Sequence, residues 1–140
     1  MSDRYFLDTN IFVYSQDERY PEKAKTATKL IRDASLHRVG VVSYQVVQEF
    51  FNVVLRKANP PMRHDDAQQY LATVFRPLLA VHSSAALISE AIRIEGRHRL
   101  SWYDSLIVAA AIEAKCEILY SEDLQHGQRF GDLIVKNPFR

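Results

Sequence analysis

The sequence predicts an α/β fold, a three-layer sandwich around a central, mostly parallel, five-stranded sheet. Three observations predict it. Short apolar runs, several of them β-branched, alternate with longer stretches of helical spacing. Most of the helical stretches are preceded by a serine, threonine, asparagine or aspartate suited to cap them. No internal repeat, low-complexity tract or linker interrupts the 140 residues. Alternation of this kind lays helices against a sheet whose neighbouring strands run parallel. One domain over residues 1–140 is expected, able to bury roughly two-thirds of its unfolded surface.

The elements follow in order. Tyr5 to Asp8 reads as a short buried strand, with Thr9 or Asn10 as N-cap of a helical turn over Ile11 to Ser15. Pro21 suits the first turn of a second helix that carries Ala24, Ala27, Leu30 and Ile31 at helical spacing. Val39 to Val42 is the second strand, and Ser43 caps a third helix from Tyr44 to Ala58. Val46, Val47, Phe50, Phe51, Val54 and Leu55 make one apolar stripe on it, and Asn59-Pro60-Pro61 ends it. A fourth helix starts at Asp65 or Asp66 and stops near Pro77, before a third strand at Leu79 to Val81. Ser83 or Ser84 caps a fifth helix, with Gly96 as its left-handed terminator. Ser101 opens a sixth, from Trp102 to about Lys115, apolar almost all round. Ile118 to Tyr120 and Leu133 to Val135 are the fourth and fifth strands.

Composition narrows the function classes. Charged residues are 25% and apolar residues 47%, as in ordinary globular proteins, and the formal net charge is +1. The longest uninterrupted apolar run, Leu106 to Ile112, is too short to span a bilayer. The single cysteine, Cys116, excludes an intramolecular disulfide. Met1 to Arg4 leads straight into a strand, so no secretory signal is expected and the protein reads as cytoplasmic.

Four carboxylates stand in unusual places: Asp8 at the end of the first strand, Glu49 at the border of the third helix's apolar stripe, Asp104 in the first turn of the sixth helix, and Asp123 after the fourth strand. In a parallel sheet, functional groups gather beyond the carboxyl ends of the strands. Each acid also has a structural alternative. Asp8 could cap the first helix, Glu49 could lie in a solvated strip with Gln45, Gln48 and Asn52, Asp104 fits a capping box with Ser101, and Asp123 could be a loop acid. If they converge, each close pair repels by about 4 kcal/mol at ~4 Å with an effective dielectric of about 20, which calls for a cation or for protonation. An all-oxygen set suits Mg2+ or Mn2+ rather than zinc, and His37, His64, His82, His98 and His126 are scattered without ligand spacing.

Leu7-Asp8-Thr9-Asn10, Glu49, the run Tyr103-Asp104-Ser105-Leu106-Ile107-Val108 and Ser121-Glu122-Asp123 together resemble the PIN-domain nucleases. The resemblance is closest to VapC toxins of bacterial toxin–antitoxin pairs, and it extends over essentially the whole chain. It implies a Mg2+- or Mn2+-dependent ribonuclease. Asp8 and Asp104 would be the principal metal ligands, Glu49 and Asp123 would complete the acidic pocket, and Asn10 and Ser121 would orient these acids by hydrogen bonds. Glu122 is an open addition, because that position varies in the family. The resemblance further implies an RNA substrate, with tRNA a candidate, a VapB-type antitoxin and a homodimer.

RNA approaching an acidic pocket needs a positive rim. Arg97 and Arg99 precede the helix that bears Asp104, Arg129 follows Asp123, and Trp102 or Tyr103 could stack on a base. Phe12, Tyr14, Phe51 and Leu55 could offer an antitoxin helix an apolar groove. Three other classes compete. A structure-specific DNA nuclease shares the acidic chemistry, but usually needs longer insertions to grip a duplex junction than this compact chain has room for. A non-catalytic RNA- or protein-binding PIN domain would be marked by loss of one of the four acids, and none is lost. An aspartate-dependent phosphohydrolase would want a second aspartate where Asn10 stands, and a lysine ending a later strand, whereas Lys115 precedes one.

Overall fold

The computed structural model describes residues 4–140. Six strands form one sheet in the order β3-β2-β1-β4-β6-β5. They are β1 (Tyr5–Leu7), β2 (Gly40–Ser43), β3 (Leu79–Val81), β4 (Ile118–Tyr120), β5 (Arg129–Phe130) and β6 (Leu133–Lys136). All neighbours run parallel except β5 against β6. The five-strand expectation is therefore corrected to six. β5 is two residues long, and its antiparallel pairing of Arg129 with Ile134 and Phe130 with Leu133 comes from the tight return at Gly131, whose φ is 63°. So short a run carries no alternation from which a strand could be read.

The helices are α1 (Thr9–Ser15), α2 (Pro21–Leu36), α3 (Tyr44–Asn52), α4 (His64–Tyr70), α5 (Arg76–Leu78), α6 (Ala85–His98) and α7 (Trp102–Glu113). α3 runs on through a wider π-helical turn at Val53–Lys57, and α4 does so at Leu71–Phe75 before α5. That helix ends at Leu78, one residue past Pro77, as the proline leads one to expect, and Leu79 is already extended. Gly96, by contrast, does not end α6. Its backbone stays helical, and Arg99 takes the left-handed C-cap with φ of 56°.

β1 lies between β2 and β4, with Phe6 opposite Val41 on one side and Leu119 on the other. From β1 the chain winds outward to β2 and β3, then returns to the far side of β1 for β4 and β6. The boundary between β1 and β4 is thus the topological switch point, where the loops after two adjacent strands diverge and leave a crevice. Phe6, Leu7, Val42, Leu119 and Val135 are fully buried in the sheet. A cluster of rings fills the space beside it: Phe50 stacks on Tyr70 at 4.8 Å and meets Phe75 edge-on at 5.1 Å, and Phe12 lies 4.8 Å from Phe75. α2 comes so close to β2 that a Cβ on Gly40 would stand 2.2 Å from Cβ of Ala34. Among the described residues no helix is long and apolar enough to cross a membrane.

Candidate metal centre and the carboxyl edge of the sheet

Asp8 follows β1 directly and is 4% exposed. Its backbone is extended, with φ −72° and ψ 164°, so Asp8 itself, not Thr9 or Asn10, is the N-cap of α1. One carboxylate oxygen accepts from the Thr9 N–H at 2.7 Å and the other from the Ser121 hydroxyl at 2.7 Å. Ser121 is fully buried just beyond β4, and its oxygen also accepts from the Asp123 N–H at 3.2 Å. The loops after β1 and β4 are thereby tied together across the switch point by one hydroxyl.

The other acids join the same network. Asn10 donates its Nδ2 to Asp123 Oδ2 at 3.2 Å. Thr9 Oγ1 donates to Glu49 Oε1 at 3.1 Å, and Gln45 Nε2 donates to the same oxygen at 3.2 Å and to the Tyr103 carbonyl at 3.2 Å. α3 is thus fixed to α1 and to the first turn of α7, which holds Asp104 through the Ser101 capping bond to its N–H. Thr9 and Gln45 were not singled out in the sequence as partners of an acid. The i,i+4 spacing of Gln45 and Glu49 carried the signal for one, whereas Thr9 reaches Glu49 across 40 residues.

Electrostatics show which acids share a field. Burial raises Asp8 to about 7, the Ser121 and Thr9 hydrogen bonds pull it down, and the charges of Asp123 and Glu49 push it up. Burial also raises Asp104, opposed by Ser101 and reinforced by Asp123. The ion pairs of the described residues join Arg19 to Asp17, Lys23 to Glu122, Lys29 to Asp33 and Arg93 to Glu90, and so leave these four acids without a cationic side chain. Glu122 faces away from them, accepting from Tyr14 at 2.6 Å and Lys23 at 2.7 Å.

Among the described residues no three ligating side chains stand close enough to hold a metal ion as they are. The acids share one edge and one field, not yet one coordination sphere. Their chemistry nevertheless fits a hard divalent cation. The donors are oxygens, a buried carboxylate lacks a positive partner, and Asn10 Oδ1 is buried without a hydrogen bond.

Arg97 and Arg129 lie elsewhere. With Lys115 and Lys136 they line a separate groove beside β5 and β6, one that none of the four acids lines, while Arg99 caps α6.

The PIN domain family model matches residues 5–129. No curated protein matches the sequence significantly. Among solved structures, the chain is similar to FitAB bound to an IR36 DNA fragment, with TM-score 0.70, 16% identity and coverage of 97% of this chain and 96% of that one. It is similar to a toxin–antitoxin complex from Klebsiella pneumoniae, with TM-score 0.64, 14% identity and coverage of 96% and 97%. It also resembles VapC20 of Mycobacterium tuberculosis, a sarcin-ricin loop cleaving toxin, with TM-score 0.61, 23% identity and coverage of 85% and 89%.

Proposed function

The chain belongs to the PIN domain family, and from that premise we propose that it is a Mg2+- or Mn2+-dependent endoribonuclease of VapC type, acting as one domain over residues 1–140. The observation that carries the reading is Asp8: a carboxylate 4% exposed, in the field of Asp123 and Glu49, with no cationic side chain beside it. Asp8 and Asp104 would hold the cation, with Glu49 and Asp123 completing the site. Such an ion supplies charge neutralisation at the scissile phosphate and a bound water of lowered pKa.

The chain's own groups do the rest. Ser121 and the Thr9 N–H fix the Asp8 oxygens. Thr9 and Gln45 fix Glu49, and Asn10 fixes Asp123, so that either acid is oriented to accept a proton from the attacking water. Arg97 and Arg129, with Lys115 and Lys136, offer cations to RNA phosphates away from the cut, and Arg99 adds another. A VapB-type antitoxin and a second copy of the chain are the proposed protein partners. For an antitoxin helix, Tyr14, Phe51 and Leu55 remain partly buried surface, but Phe12 is fully buried between Phe50 and Phe75 and offers none.

The test is incubation of the purified protein with total RNA and with tRNA, in Mg2+ and in EDTA. Cleavage is expected in Mg2+ only, and Asp104→Asn is expected to abolish it with the fold intact. Full cleavage by that variant would overturn the assignment. A binding-only PIN domain is the second reading, favoured by the absence of ligating contact among the acids as they stand. RNA retained on the protein in Mg2+ without cleavage would establish it. Light scattering during size-exclusion chromatography tests the dimer.

A further inference from the structure

A second cavity opens beside the acidic edge, between the first turns of α3 and α7 and the end of β3, with a volume of about 180 Å³. That lies below the ~300–1,000 Å³ of sites for drug-sized ligands and suits a single ring system. Its walls are rich in flat π-faces: Tyr44, Trp102 and Tyr103 are 44%, 38% and 63% exposed, and His82 lies 6.4 Å from the Tyr44 ring. Among the described residues no aspartate, glutamate, lysine or arginine lines it. A phosphate would find no charge there, whereas a neutral heterocycle finds stacking surface.

The cavity also has a polar reader. Ser43 is 3% exposed at the end of β2, lines the cavity, and its hydroxyl has no hydrogen-bond partner. The sequence suggests Ser43 as the N-cap of α3, and it occupies that position, but its side chain does not cap. A register shift between Val42 and Ser43 in the pairing of β2 with β3 breaks the ladder at this residue, a device that re-aims side chains beside functional sites. A buried hydroxyl without a partner is costly, so a ligand that bonds to it gains selectively. Gln48 adds a free amide to the lining. Gln45 belongs to this wall and also holds Glu49, and Tyr103 adjoins Asp104, so the cavity and the acids share their partition.

We propose that this cavity is a nucleobase subsite that takes the base next to the scissile phosphate, stacking it on Trp102, Tyr103 and Tyr44 while Ser43 and Gln48 read its edge. The inference rests on the nuclease reading for its place relative to the cut, but base binding can be tested apart from cleavage. Trp102 is the one tryptophan of the chain and reports directly. Its fluorescence is titrated in EDTA with tetranucleotides of A, C, G or U and with an abasic tetranucleotide of equal charge. Saturable quenching by at least one base-bearing strand, but not by the abasic one, is expected, and Tyr44→Ala should weaken that binding about tenfold. Cleavage-site mapping in Mg2+ should then show a preferred base beside the cut that relaxes in Ser43→Ala and in Gln48→Ala.

Equal quenching by the abasic strand would overturn the subsite, as would a Trp102 emission that follows protein concentration without RNA, which would assign this face to a second copy. Cleavage by the wild type with unchanged base preference in both variants would remove the subsite and leave the nuclease. Base-dependent quenching by a protein that cuts no RNA would remove the nuclease and leave the subsite.

Discussion

Replacing Asp8 by asparagine should make the metal-free protein more stable at alkaline pH while removing its activity. Burial pushes the Asp8 carboxyl up from its ordinary value of 3.8 to about 7 in the folded protein. A carboxyl whose folded pKa is raised binds more protons folded than unfolded between those values, so stability falls as pH rises from about 4 to 7 and stays low above. At about 1.36 kcal/mol per unit, keeping Asp8 in this site costs about 4 kcal/mol at pH 8, where it is ionised, and about 2 kcal/mol at pH 5, where the folded carboxyl is protonated and the unfolded one is not. Asparagine has no proton to gain or lose. Its carbonyl oxygen still accepts from the Thr9 N–H, but the Ser121 hydroxyl must turn round to accept from the amide, a loss of about 1 kcal/mol. The net gain is therefore about 3 kcal/mol at pH 8 and about 1 kcal/mol at pH 5. At ~3 °C per kcal/mol for a chain of this size, Tm should rise by roughly 9 °C at pH 8. Circular-dichroism melts in EDTA at the two pH values measure it. Equal destabilisation at both would refute the reasoning, since it would mean that Asp8 acts in the fold through its hydrogen bonds alone.

Mg2+ at about a hundred times its dissociation constant should stabilise the wild type by roughly 2.7 kcal/mol at pH 8 and leave Asp8→Asn unmoved, which differential scanning calorimetry resolves. Gly40→Ala should cost about 2 kcal/mol or more, because the new methyl overlaps Cβ of Ala34 and backbone must shift to admit it, as a lowered urea midpoint with unchanged slope will show. Tyr14→Phe should cost about 1 kcal/mol by removing the hydroxyl that donates to Glu122, and should lower kcat by loosening the turn that carries Asp123, with KM for RNA little changed.

Much of this architecture was legible in the order of residues. Strands alternating with helices imply the parallel sheet, and the rule about carboxyl edges puts Asp8 and Asp123 at strand ends on one edge; that the two strands are neighbours is visible only in the sheet order. What stayed hidden was either very short or very distant. β5 has two residues, too few for a period. The end of α6 depended on Arg99 accepting a left-handed backbone that glycine ordinarily takes, three residues beyond the expected Gly96. Glu122 turns from the site because Lys23, 99 residues earlier, holds it. Asp8 was one of three residues that could cap α1, and only the backbone angles choose it over Thr9 and Asn10. The Ser43 hydroxyl is the instructive failure. Its sequence position is a good cap, yet the shifted ladder beside it leaves the oxygen uncommitted.

The sheet's margins bear on how other molecules can join it. One edge strand, β3, has three residues and the other, β5, has two. Neither leaves enough free main chain for an added strand to pair with, so fibre-like growth through backbone ladders has no template here. What such margins leave for association is side chains, and specificity written in side chains can be changed one residue at a time without disturbing the ladder.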